Sequence, residues 1–158
     1  MTKEIAIFGA GCFWGIEEAF ITTDGVNETE VGYIGGTTTN PSYQDVCKGD
    51  TNHAEAVRIF FDSKLIQYDD LLDVFFKIHN PTTYNRQGLD IGTQYRSAIF
   101  YLNNLQKQMS ENKIQLLNRT AFDNKIVTTI EQASEFWVAE EYHQKYVRKK
   151  KIKGYSGC

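Results

Sequence analysis

The order in which two-residue and helical periodicities follow one another along the chain narrows the available folds more than any other feature. An apolar strand pattern over Glu4 to Phe8 passes into a helical pattern over Ile16 to Phe20, then into a short β-branched run, Glu28 to Tyr33. Ala54 to Phe61 reads as the next strand, and Tyr68 to Ile78 as a helix with Leu71, Leu72, Phe75 and Phe76 on one face, ended by Asn80-Pro81. Ser97 to Tyr101 is again strand-like, followed by a helix over Asn103 to Asn118 and a strand over Lys125 to Ile130. Ala139 to Lys150 reads as a last helix, with an irregular tail, Gly154-Tyr155-Ser156-Gly157-Cys158. Strand, helix, strand, strand, helix, strand is the split βαβ order. The expected class is therefore α+β, a ferredoxin-like α/β plait with a mostly antiparallel sheet and helices packed on one face. Gly35 to Asn52 and Thr82 to Tyr95 interrupt the pattern. Irregular stretches longer than about 12 to 15 residues in compact domains are usually functional or disordered, so both are expected to be active-site loops.

At 158 residues and 41% hydrophobic content, the chain suits a single domain, 1–158, with a sizeable core and no linker or internal repeat. Met1-Thr2-Lys3-Glu4 lacks a signal-like apolar stretch, and no run approaches the roughly 18 apolar residues of a membrane span. A soluble cytoplasmic monomer that does not engage membranes is expected. The net charge of −3 argues against a nucleic-acid partner; the basic run Arg148 to Lys153 reads as a solvated helix end complementing the dipole. Three cysteines, at 12, 47 and 158, are too few and scattered for a disulfide framework, and read as redox or nucleophilic groups.

Gly11-Cys12-Phe13-Trp14-Gly15 lies where the first strand gives way to the first helix. A thiol there faces free backbone N–H groups and the positive end of a helix dipole, which favours its thiolate. Cys12 is therefore the candidate nucleophile, and Phe13 and Trp14 make an apolar wall beside it. The irregular segments supply Tyr43, Asp90 and Tyr95, and Glu55 stands at the mouth of the strand between them. A carboxyl kept protonated by burial against aromatic rings could deliver a proton while tyrosine hydroxyls hold a developing oxyanion.

In order along the chain, these segments resemble the A-type peptide methionine sulfoxide reductases. Gly11 to Gly15 matches the family's nucleophile motif, and Gly32-Tyr33, Gly35-Gly36 and Asn40-Pro41-Ser42-Tyr43 match its first loop. His53-Ala54-Glu55 matches its acid segment, Asn85 to Ser97 its second loop, and Ala139 to Tyr146 its last helix. The resemblance implies attack by Cys12 on the sulfur of methionine-S-sulfoxide, free or in damaged proteins. It further implies proton donation by Glu55, oxygen binding by Tyr43 and Tyr95, and polarisation by Asp90. Phe13 and Trp14 would hold the S-methyl group, with His143, Tyr146 and Tyr155 nearby. A sulfenic acid on Cys12 would condense with a second thiol, and thioredoxin would reduce the resulting disulfide. No metal, flavin or nicotinamide is implied. Many relatives carry the recycling cysteine directly after the Gly-Tyr of the tail, whereas Ser156 stands there in this chain. Cys158 is the remaining tail thiol and the expected resolving residue, with Cys47, whose family counterpart is usually structural, as the alternative. Two rival readings are a hydrolase or acyl transferase using Cys12 with His53 or His143, and a non-catalytic binder of methionine-containing segments.

Overall fold

The computed structural model describes residues 3–150. Among these residues, six strands form one mixed sheet in the order β7-β6-β1-β3-β2-β8. They are β1 (Lys3–Ala10), β2 (Val26–Ile34), β3 (Ala54–Asp62), β6 (Ser97–Tyr101), β7 (Thr129–Gln132) and β8 (Trp137–Val138). A separate hairpin pairs β4 (Arg86–Gln87) with β5 (Asp90–Ile91). Every pair in the large sheet is antiparallel except β6 with β7, so the α+β class and mostly antiparallel sheet hold. No helix among the described residues is long and apolar enough to cross a membrane.

Alternation along the central strands creates two unlike faces. Ala6, Phe8 and Ala10 of β1 share one face with Val57, Ile59 and Phe61 of β3. Onto it pack Ile16 and Phe20 of α1 (Phe13–Ile21), the apolar stripe of α3 (Tyr68–Lys77), and Met109, Ile114 and Leu117 of α4 (Asn104–Thr120). Phe8 anchors this layer, with ring centroids 5.6 Å from Phe20 and 4.9 Å from Phe75. The opposite face, including Ile7, Ala56, Ala98 and Phe100, is covered by Phe136 and Ala133 from the chain between β7 and β8. Glu55 lies one pleat before Val57 and thus belongs to the helix-covered face, beside the start of α1.

Several elements depart from the periodicity, each for a local reason. The first loop contains a short helix, α2 (Tyr43–Cys47), started by a capping box in which Ser42 accepts from the Asp45 N–H and Asp45 accepts from the Ser42 N–H. The second loop contains the β4–β5 hairpin and a 3-10 turn, Thr93–Tyr95. The strand expected over Lys125 to Ile130 runs instead over Thr129–Gln132. Ahead of it, the Ile126 and Val127 N–H groups are taken by the Asn118 side chain and the Pro81 carbonyl, leaving no ladder to join. The expected helix from Ala139 to Lys150 is broken into a 3-10 turn, Glu141–His143, and α5 (Tyr146–Lys150), because Lys145 adopts a left-handed φ of 55°. Edge strand β8 was hidden by its two-residue length.

Candidate active site

Gly11 takes φ 95°, and a Cβ there would lie 2.7 Å from Cγ of Gln87 in the hairpin, so both backbone shape and space require glycine. Cys12 follows as the N-cap residue of α1, 6% exposed, its side chain making no capping bond. It is disulfide-bonded here, whereas Cys47 is a free, exposed thiol. The first N–H of the helix, that of Phe13, donates to Oε1 of Glu55 at 3.2 Å. A β3 carboxyl is thus fastened to the helix that begins at Cys12.

Glu55 is completely buried, and burial pushes its pKa up to about 8 against the opposing pull of the Phe13 N–H, with the negative charge of Asp90 adding to the rise. The hydroxyls of Tyr43 and Tyr95 are likewise raised, first by burial. Each also feels the charge of Glu55, and Tyr95 that of Asp90, so the fold gathers Glu55, Asp90, Tyr43 and Tyr95 around one space. The Cys47 thiol, one helical turn on, adds to the rise at Tyr43. At neutral pH this space offers a protonated carboxyl and phenolic hydrogen-bond donors.

An aromatic wall flanks that space. Trp14 donates its indole N–H to Nδ1 of His143 at 2.9 Å and lies flat against Tyr146, centroids 3.8 Å apart and 9° between planes. The His143 ring, fully buried, sits 5.2 Å from Phe13 and 4.4 Å from Tyr43. Since Nδ1 accepts, the neutral ring carries its proton on Nε2; burial holds its pKa below the usual histidine range. Phe13 and Trp14, which follow Cys12, are thus brought together with His143 and Tyr146, whereas Tyr155 and Cys158 lie outside the described residues. Of the two histidines of the rival dyad, His53 has both ring nitrogens engaged by the first loop, Nδ1 by the Gly36 N–H at 3.0 Å and Nε2 with the Thr38 carbonyl at 2.6 Å, and His143 has Nδ1 taken by the Trp14 indole.

Three fasteners escaped the sequence reading, because their partners are mostly backbone atoms that only the fold brings within reach. Glu140 accepts from the Tyr33 hydroxyl and the Tyr43 N–H, both at 2.8 Å, tying the last segment to the first loop. Gln144 bonds both backbone groups of Val31, extending the sheet edge with a side chain. Arg96 pairs with Glu131 and donates to the carbonyls of Asn52 and Thr93 at 3.0 Å, holding the two active-site loops together. A 220 Å³ cavity lined by Asn52, Tyr84 and Arg96 includes none of Cys12, Tyr43, Glu55 and Tyr95, so the site is marked by converging polar groups rather than by that cavity.

The family model for peptide methionine sulfoxide reductase matches residues 4–158. A curated relative, peptide methionine sulfoxide reductase MsrA of Methanothermobacter thermautotrophicus, is 54% identical over 147 residues, 92% of this chain and 87% of its own. Among solved structures, reduced Mxr1 from Saccharomyces cerevisiae superposes with a TM-score of 0.89 at 37% identity, covering 98% of this chain and 89% of that one. The same yeast protein in complex with Trx2 gives 0.64 at 27% identity, covering 92% and 85%.

Proposed function

The chain belongs to the peptide methionine sulfoxide reductase family, and from its thiol-dependent reduction of methionine sulfoxide we propose the following assignment of residues and steps. The thiolate of Cys12 attacks the sulfur of methionine-S-sulfoxide while Glu55 passes its proton to the oxygen, which Tyr43 and Tyr95 hold by hydrogen bonds. Asp90 supports the protonated state of Glu55. The hydroxyl then passes from the methionine sulfur to the Cys12 sulfur as the sulfur–sulfur bond formed by the attack and the old sulfur–oxygen bond both break, so methionine leaves reduced by two electrons and Cys12 is left as a sulfenic acid. Attack by the Cys158 thiol expels that oxygen as water and leaves a Cys12–Cys158 disulfide, which a thioredoxin dithiol reduces. Trp14 and Phe13, backed by His143, Tyr146 and Tyr155, receive the methyl group.

One observation carries this assignment: a fully buried carboxyl, neutral near pH 7, fastened to the first N–H of the helix that starts at Cys12. The burial of Cys12 at the start of α1, next to the Phe13 N–H that holds the Glu55 carboxyl, supports Cys12 as the redox centre. The Trx2 complex of the yeast neighbour supports a thioredoxin as reductant. The core strand order β6-β1-β3-β2, with α1 and α3 as connections, supports reading the fold as a split βαβ plait and residues 1–158 as one domain. We read the protein as a cytoplasmic monomer acting on free and protein-bound sulfoxide.

The test is an assay of the separated sulfoxide epimers with wild type and Cys158→Ser. Reduction confined to the S epimer is expected. Cys158→Ser should release about one methionine per enzyme and then stall with thioredoxin, small thiols restoring turnover. Reduction of the R epimer, or undiminished thioredoxin turnover without Cys158, would overturn these assignments.

A further inference from the structure

The buried face of α1 contains, besides Phe13, Ile16 and Phe20, a glutamate: Glu17 is 1% exposed. A carboxylate in such a place is costly unless its lone pairs are used. Those of Glu17 are used, largely by a residue 128 positions away. Oε1 accepts the backbone N–H of Lys145 at 2.7 Å. Oε2 accepts the Thr29 hydroxyl at 2.7 Å and lies 3.2 Å from Nζ of Lys145, which also reaches the Thr29 carbonyl at 2.6 Å and Glu28 at 3.1 Å.

What Glu17 fixes is a turn. Lys145 stands at φ 55°, a region that L-residues other than glycine occupy at a cost, and this break separates the Glu141–His143 turn from α5. The next residue is Tyr146, whose ring lies flat on Trp14, while the Trp14 indole N–H is bonded to His143 just before the break. A carboxylate one turn beyond Trp14 on the same helix thus holds the backbone that places both residues against the indole.

We propose that Glu17 is a positioning residue for the substrate's methyl wall: through the Lys145 turn it sets Tyr146 and His143 against Trp14. The proposal rests on the reading of Trp14 as that wall. Cys12 and Glu55 are joined through the Phe13 N–H, a bond in which Lys145 takes no part. Loosening the wall should therefore weaken binding in ground and transition states alike, raising the half-saturating substrate concentration while sparing the limiting rate. A strap that served stability alone would lower the melting temperature and leave both kinetic quantities unchanged.

The experiment is single-turnover reduction of free methionine-S-sulfoxide by the reduced full-length enzyme, with melting temperatures measured in parallel. Glu17→Gln removes the charge and turns an amide toward one of its donors. It should raise the half-saturating concentration about three- to tenfold, as loss of one or two buried hydrogen bonds would, with the limiting rate within about twofold. Lys145→Val, whose β-branched side chain resists positive φ, should do the same. Lys145→Gly keeps the N–H and accepts the turn, and should raise it less. If Glu17→Gln does not fold, the two Lys145 variants decide. Unchanged half-saturation in both Glu17→Gln and Lys145→Val, with a rise in Trp14→Ala, would overturn the proposal alone. Unchanged half-saturation in Trp14→Ala would overturn the reading of the wall, and the proposal with it.

Discussion

Glu55 shows how one buried side chain sets both reactivity and stability. With a folded pKa of about 8 against an ordinary 4.5, it is mostly protonated at neutral pH and available as an acid. The rate of sulfoxide reduction should accordingly fall above about pH 8 as the proton is lost. Glu55→Gln should abolish that alkaline limb and lower the rate on the order of 10²- to 10⁴-fold, the usual contribution of general acid catalysis. Stability should move the other way. Because the folded pKa is raised, the contribution of Glu55 is fully present below about pH 4.5 and is lost as pH rises through 8. Glu55→Gln should then be the more stable protein at pH 7, by about 1 to 3 kcal/mol, with the advantage vanishing near pH 4. Denaturant melts of both proteins at the two pH values check this; a Glu55→Gln protein with equal stability and a near-normal rate would move the acid elsewhere.

At the scale of elements, α2 illustrates what periodicity cannot reveal. A five-residue helix in a polar loop has no apolar stripe to detect, and it exists because the Ser42–Asp45 box closes its first turn. Ser42→Ala should cost about 1 kcal/mol in a denaturant melt and loosen Tyr43, the first residue of the helix, raising the half-saturating concentration of substrate. The long elements were legible for the opposite reason. β1, β3 and α3 bury continuous apolar faces, so their spacing records their geometry: Leu71, Leu72, Phe75 and Phe76 are all buried. Lys145 shows the limit. Nothing in its local sequence marks a left-handed turn, which is held by Glu17 and Thr29 from other elements. In the site, Cys12, Phe13 and Trp14 were readable from the strand-to-helix junction, and Glu55, Tyr43 and Tyr95 from the loops and the resemblance. Glu140, Gln144 and Arg96 were not, since their partners are mostly backbone atoms that only the fold brings within reach.

Across the whole molecule, the site is assembled from the start of α1, the first loop, β3, the hairpin region and the segment before α5, with the β1–β3 sheet core as their common support. Phe8 lies at the centre of that support, stacked between α1 and α3. Phe8→Ala should cost about 3 to 5 kcal/mol and lower the melting temperature, and the loss of activity on heating should coincide with one cooperative unfolding transition, as a single domain requires. Two resolved transitions would divide the chain. The central claim is that Cys12 itself takes the oxygen from the sulfoxide. Its most direct test uses the reduced Cys47→Ser/Cys158→Ser variant, mixed with methionine-S-sulfoxide and a sulfenic-acid-trapping reagent, followed by peptide mass spectrometry and quantification of methionine. The account predicts a trapped sulfenic acid on Cys12 in step with about one methionine per enzyme; methionine released while Cys12 remains an unmodified thiol would contradict it.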